Sequence, residues 1–220
     1  EASDIVHKEM FSFEDRGGRN ISLRPEMTAS VARAVIERGL LTQAKFLNLY
    51  YMGPMFRAER PQAGRKRQFH QIGIELVNQC GLEADAVIIY LLCNFLEQLA
   101  VKNYKLRMND LGSLEEQKET AGRLYQYFSS QKNKLCPDCL YRLEKNVLRI
   151  FDCKSENCAG VIEKAPWKEP SEDFKKLVRR LDQMKAPYQI DKRLVRGLDY
   201  YNGAVFEVTA EGLGAQDALA

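Results

Sequence analysis

No stretch of this 220-residue chain is apolar for long enough to cross a bilayer, so a helical membrane span is excluded. Internal repeats and low-complexity tracts are also missing, which removes repeat architectures. Charge of one sign is scarce: 33 basic and 30 acidic residues leave a net charge of +3, too small to indicate nucleic acid by itself. The opening Glu1-Ala2-Ser3-Asp4 is neither a signal peptide nor an initiator sequence, so the chain is expected to be trimmed at that end. A disulfide scaffold is not suggested either. The six cysteines are grouped as metal ligands or reduced core thiols would be, which points to the cytoplasm. What the chain has is 45% hydrophobic residues, ample for a core. Its length fits one domain, or a domain carrying an inserted module.

Punctuation along the chain marks the elements. Ile21 to Arg24 reads as a short strand ended by Pro25. Thr28 is then placed to cap a helix running to Arg38, with Gly39 as its stop. Phe46 to Phe56 and Gln68 to Val77 read as two strands, joined as a hairpin by residues 59–67. Leu82 to Val101 is apolar nearly all round, which predicts a helix buried on several sides. Tyr104 to Met108 and Ala204 to Thr209 are further strands. Between them, Lys/Glu-rich helices flank a cysteine-bearing segment. The expected organisation is therefore a core in two parts, 1–108 and 191–220, interrupted by an inserted module at 109–190. Cys80 and Cys93 read as lone core thiols.

The richest stretch is Phe56 to Gln71, which packs five cationic side chains, a carboxylate and an aromatic ring into one hairpin. Side chains alternate along a strand. His70, Ile72, Ile74 and Leu76 therefore share one face, expected to meet the core. Phe69, Gln71, Gly73, Glu75 and Val77 share the other, and Gly73 leaves room beside two hydrogen-bonding groups. In simple register, Arg57, Glu59, Phe69, Gln71 and Glu75 would line one pocket. Arg57 would fork onto a phosphate or carboxylate, and Phe69 would stack on a base. Taken alone, the hairpin reads equally well as a solvated edge whose charges pair with each other. Two further segments accompany it. Leu23-Arg24-Pro25-Glu26-Met27-Thr28 offers a carboxylate and a hydroxyl suited to an ammonium group. Arg196-Gly197-Leu198-Asp199-Tyr200-Tyr201 sets an arginine and two tyrosines just before a strand.

In this order, the three segments resemble histidyl-tRNA synthetase over almost the whole chain. The middle one is similar to motif 2 of class II aminoacyl-tRNA synthetases, and the last to the histidine-specific motif. The resemblance implies an α+β fold: a class II synthetase-like antiparallel sheet of six to seven strands, flanked by helices. It implies activation of histidine by ATP with Mg2+, then transfer to histidine tRNA. It also implies a homodimer in the full-length protein. By the same resemblance, Arg57 and Arg196 are catalytic, meeting the α-phosphate from two sides. Arg57, Glu59, Arg65 and Phe69 bind ATP. Glu26, Thr28 and Gln71 hold the α-amino group of histidine; Glu75 and Tyr201 meet its imidazole, and Tyr200 belongs to the same histidine-binding set. Met27 stands where the family more often has glycine. The first portion of motif 1, motif 3 and the anticodon-binding domain are expected to lie outside these residues.

Cys136-Pro137-Asp138-Cys139 and Cys153-Lys154-Ser155-Glu156-Asn157-Cys158 have spacing suited to a structural zinc, though the second pair is looser than the usual two-residue gap. Four reduced thiols would explain them equally. The resemblance makes this segment an insertion domain that approaches the tRNA acceptor stem. Lys132, Lys134, Arg142, Lys145 and Arg149 would then meet phosphates, but a solvated charged face explains them at least as well, since Glu144 and Asp138 interleave with them. A non-catalytic regulatory paralogue of ATP phosphoribosyltransferase, and a zinc-ribbon nucleic-acid binding module, are the competing readings. If the synthetase reading holds, Arg196→Ala lowers the rate of adenylate formation more than it weakens histidine binding. Normal pyrophosphate exchange in that variant would contradict the role.

Overall fold

The computed structural model describes residues 9–61, 65–195, 201–210 and 219. It is a mixed helix-and-strand structure in two compact units, which divide within a helix after Phe95. No helix among the described residues is long and apolar enough to cross a membrane.

The first unit begins with a small antiparallel hairpin, β1 (Ser12–Glu14) and β2 (Asn20–Ser22). Asp15 closes its turn by accepting from the amides of Gly17 and Arg19 at 2.8 and 2.9 Å. Helix α1 (Thr28–Glu37) follows and ends where Gly39 takes φ 57°, the left-handed stop expected there. Strands β3 (Leu47–Phe56) and β4 (Gln68–Val77) then pair antiparallel from Leu47↔Val77 to Phe56↔Gln68. The Arg57 amide donates to the Arg67 carbonyl at 2.9 Å and carries the ladder one step further.

Two expectations for this unit fail, since among the described residues nothing covers the faces concerned. The face of Ile72 and Ile74, expected to meet the core, is exposed together with Tyr50 and Met52 on β3. Helix α2 (Leu82–Gln98) buries a single stripe, Ala86, Ile89, Cys93 and Leu96, while Val87, Tyr90, Leu91 and Phe95 stay exposed. Cys93 is a buried thiol as expected, but Cys80 is exposed.

The second unit is built on β5 (Tyr104–Asp110). It has β6 (Gln189–Ile190) parallel on one side and β7 (Ala204–Ala210) antiparallel on the other. The seven strands of the described residues therefore lie in three sheets of two, two and three strands. Four helices fill the interval between β5 and β6: α3 (Leu114–Ser129), α4 (Pro137–Lys145), α5 (Glu156–Glu163) and α6 (Glu172–Gln183). Three of them begin with a clear signal. Ser113 and Glu116 form a capping box for α3, Pro137 opens α4, and the Ser171 hydroxyl accepts from the Phe174 amide to start α6. Leu124, Phe128, Leu143, Ile150 and Val161 form the module's core with two of the cysteines. Edge-to-face rings extend it from Phe128 through Phe151 to Trp167.

A buried ion pair fastens this module to its strand. Lys168 Nζ lies 2.8 Å from Asp110 Oδ2 at the end of β5, with only 6% and 3% of the two side chains exposed. Glu116 adds a second carboxylate at 3.4 Å. Asp110 also accepts from the amides of Ser171 and Gly112, at 2.7 and 2.8 Å. Gly112 has φ 73°, and a Cβ there would stand 2.6 Å from the Glu116 carboxylate and 2.8 Å from the Lys168 chain, so any other residue would be strained and would have to push both side chains aside. Burial alone would raise the Asp110 carboxyl. The Lys168 and Ser171 hydrogen bonds outweigh it and hold the group below its ordinary value of 3.8. A depressed carboxyl contributes stability above its unfolded-state value and loses it as pH falls through the folded one. Asp110→Asn, which strands the Lys168 charge, should cost about 3–5 kcal/mol at neutral pH. The gap in melting temperature between wild type and variant should narrow below about pH 4. A gap that stays constant from neutral pH into acid would show that this pair does not carry the effect.

Candidate active site

The wall of the site in the first unit is one face of the β3–β4 hairpin, and the strap 24–28 crosses its end. The Phe56 amide donates to the Arg24 carbonyl at 2.9 Å, and Arg24 Nε donates to the Pro54 carbonyl at 2.8 Å. Arg57 Nε reaches back to the Pro25 carbonyl at 3.0 Å. These bonds hold Glu26 and Thr28 against the hairpin. Thr28 does not cap α1 as expected. Met27 is the N-cap and makes no side-chain cap bond. The cap comes from Glu26, whose carboxylate accepts from the amides of Thr28 and Ala29 at 2.6 and 3.1 Å. A carboxylate is also the better partner for the positive end of the helix dipole. The Thr28 hydroxyl is thereby left to cross to β4, where it donates to Glu75 Oε1 at 2.7 Å.

The register puts Leu49, Tyr51, Gly53 and Met55 opposite Glu75, Gly73, Gln71 and Phe69. At one end of this face the Arg57 guanidinium sits 5.2 Å from the centre of the Phe69 ring. Beyond it, Arg65 Nη1 pairs with Glu59 Oε2 at 2.8 Å, and Arg67 Nε donates to the Glu59 carbonyl at 3.2 Å. In the middle, the Gln71 side-chain oxygen is buried with no hydrogen-bond partner. A buried acceptor left open costs about 1–3 kcal/mol until a donor arrives, so it marks a place for one. At the far end, burial raises the Glu75 carboxyl; the Thr28 hydroxyl partly offsets this and the nearby Glu26 charge adds to it. The face therefore runs from a cation on an aromatic ring to a poised carboxylate, over roughly 20 Å of strand. Tyr51 was not singled out from the sequence. Its ring lies against Gly73 and fills the room that glycine was expected to leave. A glycine inside an alternating strand was the available signal.

The remaining site residues fall elsewhere. Tyr201 belongs to the second unit, where its carbonyl accepts from Gln117 Nε2 at 2.9 Å. Arg196 and Tyr200 lie outside the described residues.

Cys136, Cys139, Cys153 and Cys158 form a second constellation, with all four sulfur atoms within 4.8 Å of one another. Cys136 and Cys153 Sγ are 3.7 Å apart. Four thiolates around one zinc at about 2.3 Å would stand roughly 3.8 Å apart, so the donor set fits a tetrahedral ion. The Cys136 amide points at Cys158 Sγ (3.2 Å) and the Ser155 amide at Cys153 Sγ (3.3 Å), the outer-shell bonds that a thiolate cluster needs. The Cys139 backbone amide, with neighbouring thiols, brings Cys136 down to about 7, while burial pushes Cys139 and Cys158 up. Of the basic residues in this module, Lys132 pairs with Glu144 at 3.6 Å and Arg149 with Asp152 at 3.7 Å.

Comparison with known proteins gives a consistent picture. Residues 1–126 match the family model described as histidyl-tRNA synthetase. The whole chain is 44% identical to the histidine–tRNA ligase of Halothermothrix orenii, of which it covers 54%. Over 97% of its length it is 43% identical to that of Aquifex aeolicus, covering 55% of it. The chain thus spans about half the length of the curated relatives it matches. Among solved structures, apo histidyl-tRNA synthetase of S. aureus aligns with a TM-score of 0.68 at 33% identity, over 90% of this chain and 48% of that one. A Bacillus halodurans protein described as an ATP phosphoribosyltransferase regulatory subunit/histidyl-tRNA synthetase aligns at 0.64 over 96% of this chain and 60% of that one. At 23% identity it speaks for the fold alone.

Proposed function

The chain belongs to the histidyl-tRNA synthetase family, and from that premise we propose that it forms part of a histidine–tRNA ligase, supplying the wall on which histidine and ATP meet. The observation that carries the reading lies on one strand face: Arg57 over Phe69 at one end, Glu75 held by Thr28 at the other, and the unpartnered Gln71 oxygen between them. An extended pair of ligands, anionic at one end and cationic at the other, matches that order. Phe69 and Glu59 take the adenine, Arg65 the phosphate tail and Arg57 the α-phosphate. Glu26, Thr28 and Gln71 take the α-amino group. Glu75 meets the imidazole, with Tyr200 and Tyr201 supplied by the later segment. Mg2+ accompanies ATP.

In the first step a histidine carboxylate oxygen attacks the α-phosphorus, and the bond to pyrophosphate breaks. The nucleophile is already ionised, so no strong base is needed. Negative charge gathers at the phosphorus, where Arg57 stabilises it as a fixed cation; Arg196 is assigned the same task by the resemblance alone. The Arg65–Glu59 ion pair must exchange partners when ATP enters, since both groups are assigned to that ligand. The tRNA step, the homodimer, the cytoplasmic setting and the division into a core at 1–108 and 191–220 with an insertion at 109–190 follow from the same reading. The regulatory-paralogue alternative is disfavoured because Arg57, Glu59, Phe69 and Arg196 are all present in the sequence. We assign the four cysteines to a structural zinc that joins the N-terminus of α4 to α5.

Histidine-dependent exchange of pyrophosphate into ATP by the full-length protein tests the function. Arg57→Ala should lower kcat by roughly 100- to 1,000-fold, and Glu75→Gln should chiefly raise the KM for histidine. Wild-type protein that exchanges nothing with histidine present would refute the reading. For the metal, protein purified without chelators should carry one zinc per chain. Cys139→Ser should lose it and melt at lower temperature. Equal melting of metal-free and metal-loaded protein would count against a structural role.

A further inference from the structure

Tyr51 of β3 stands directly opposite Gly73 of β4. A Cβ placed on Gly73 would lie 2.1 Å from Tyr51 Cζ and 2.2 Å from its Oη, so the phenol ring lies flat across the neighbouring strand. Gly73 itself has no positive φ. Its backbone is open to any residue, and glycine is demanded by the ring alone. On that strand face the neighbours of Gly73 are Gln71 and Glu75. The ring therefore occupies the interval between the unpartnered Gln71 oxygen and the carboxylate that Thr28 holds.

From this geometry we propose that Tyr51 is a specificity-determining platform of the amino-acid pocket, with Gly73 as the gap that lets its ring lie flat. The inference rests on the assignment of Gln71 and Glu75 to the amino acid made above. A ligand that places its ammonium on Gln71 and its side chain on Glu75 must cross the Tyr51 ring. A planar side chain with hydrogen-bond donors on its edge can lie on that ring while its edge reaches the carboxylate. An imidazole meets both conditions. A branched aliphatic chain loses the stacking and leaves Glu75 unpaired. Selection for histidine is thus made by a flat surface together with an acid, and not by the acid alone.

The test is steady-state exchange of pyrophosphate into ATP by the full-length protein, with L-histidine as the varied substrate. Tyr51→Leu should raise the KM for histidine roughly ten-fold, leaving the KM for ATP within about two-fold. Tyr51→Phe, which keeps the ring, should raise it several-fold less than Tyr51→Leu. Gly73→Ala should also raise the histidine KM, because the added methyl displaces the ring. Combined with Tyr51→Leu it should add little, since the ring it displaces is already gone. A role in stability alone would move the melting temperature and both KM values together. Equal effects of Phe and Leu, parallel rises in the two KM values, or multiplying effects in the double variant would each overturn the inference. Wild-type protein with no exchange overturns the proposed function and this inference with it. Active wild type with an unchanged histidine KM in Tyr51→Leu overturns this inference alone.

Discussion

Ten residues of β3 pair with ten of β4 without a bulge, and the arrangement of the first unit follows from that register. A slip of one residue would send every side chain to the opposite face. Phe69, Gln71 and Glu75 would then leave the side on which Arg57 and Thr28 approach. The strap at 24–28 adds to the constraint, because its bonds to Phe56, Pro54 and Arg57 are made to the end of the same hairpin. The site residues are thus positioned by backbone pairing first and by side-chain bonds second. Rigid elements of this kind hold a reacting geometry better than loops do.

The second unit depends on charge rather than register. Most of the ion pairs on its helices are exposed, such as Lys175–Glu172 and Lys176–Asp173, and exposed pairs contribute about 0–1 kcal/mol. The Lys168–Asp110 pair differs because both partners are buried and each makes further bonds. It ties the last residue of β5 to the turn that opens α6. Gln117 carries that order to the carbonyl of Tyr201. The four-cysteine cluster sits deeper in the module, among the side chains of its own core.

Much of this was legible from local chemistry. Strand β4 runs from Gln68 to Val77 as alternation indicated, and β3 ends at Phe56. The loose spacing of Cys153 and Cys158 has a simple cause. Cys153 follows a 3-10 turn and Cys158 lies within α5, so Ser155 and the start of that helix stand between them. What was not legible depends on partners distant in sequence. Whether the Ile72–Ile74 face is covered is decided by what packs on it, not by its period. The capping of α1 differs from expectation because the Glu26 carboxylate, two residues before Thr28, reaches the first amides of the helix itself. The role of Gly73 was inverted for a similar reason: its opposite neighbour, Tyr51, is named only by the register.

The Glu26 cap bears on the ligand reading as well as on the helix. The oxygens that close the first turn of α1 are the same ones proposed for an incoming ammonium group. A carboxylate has lone pairs for both kinds of partner, so two amides can aim it without using it up. The free site therefore does not wait with a loose charge: the helix that Glu26 caps has already turned its carboxylate into position.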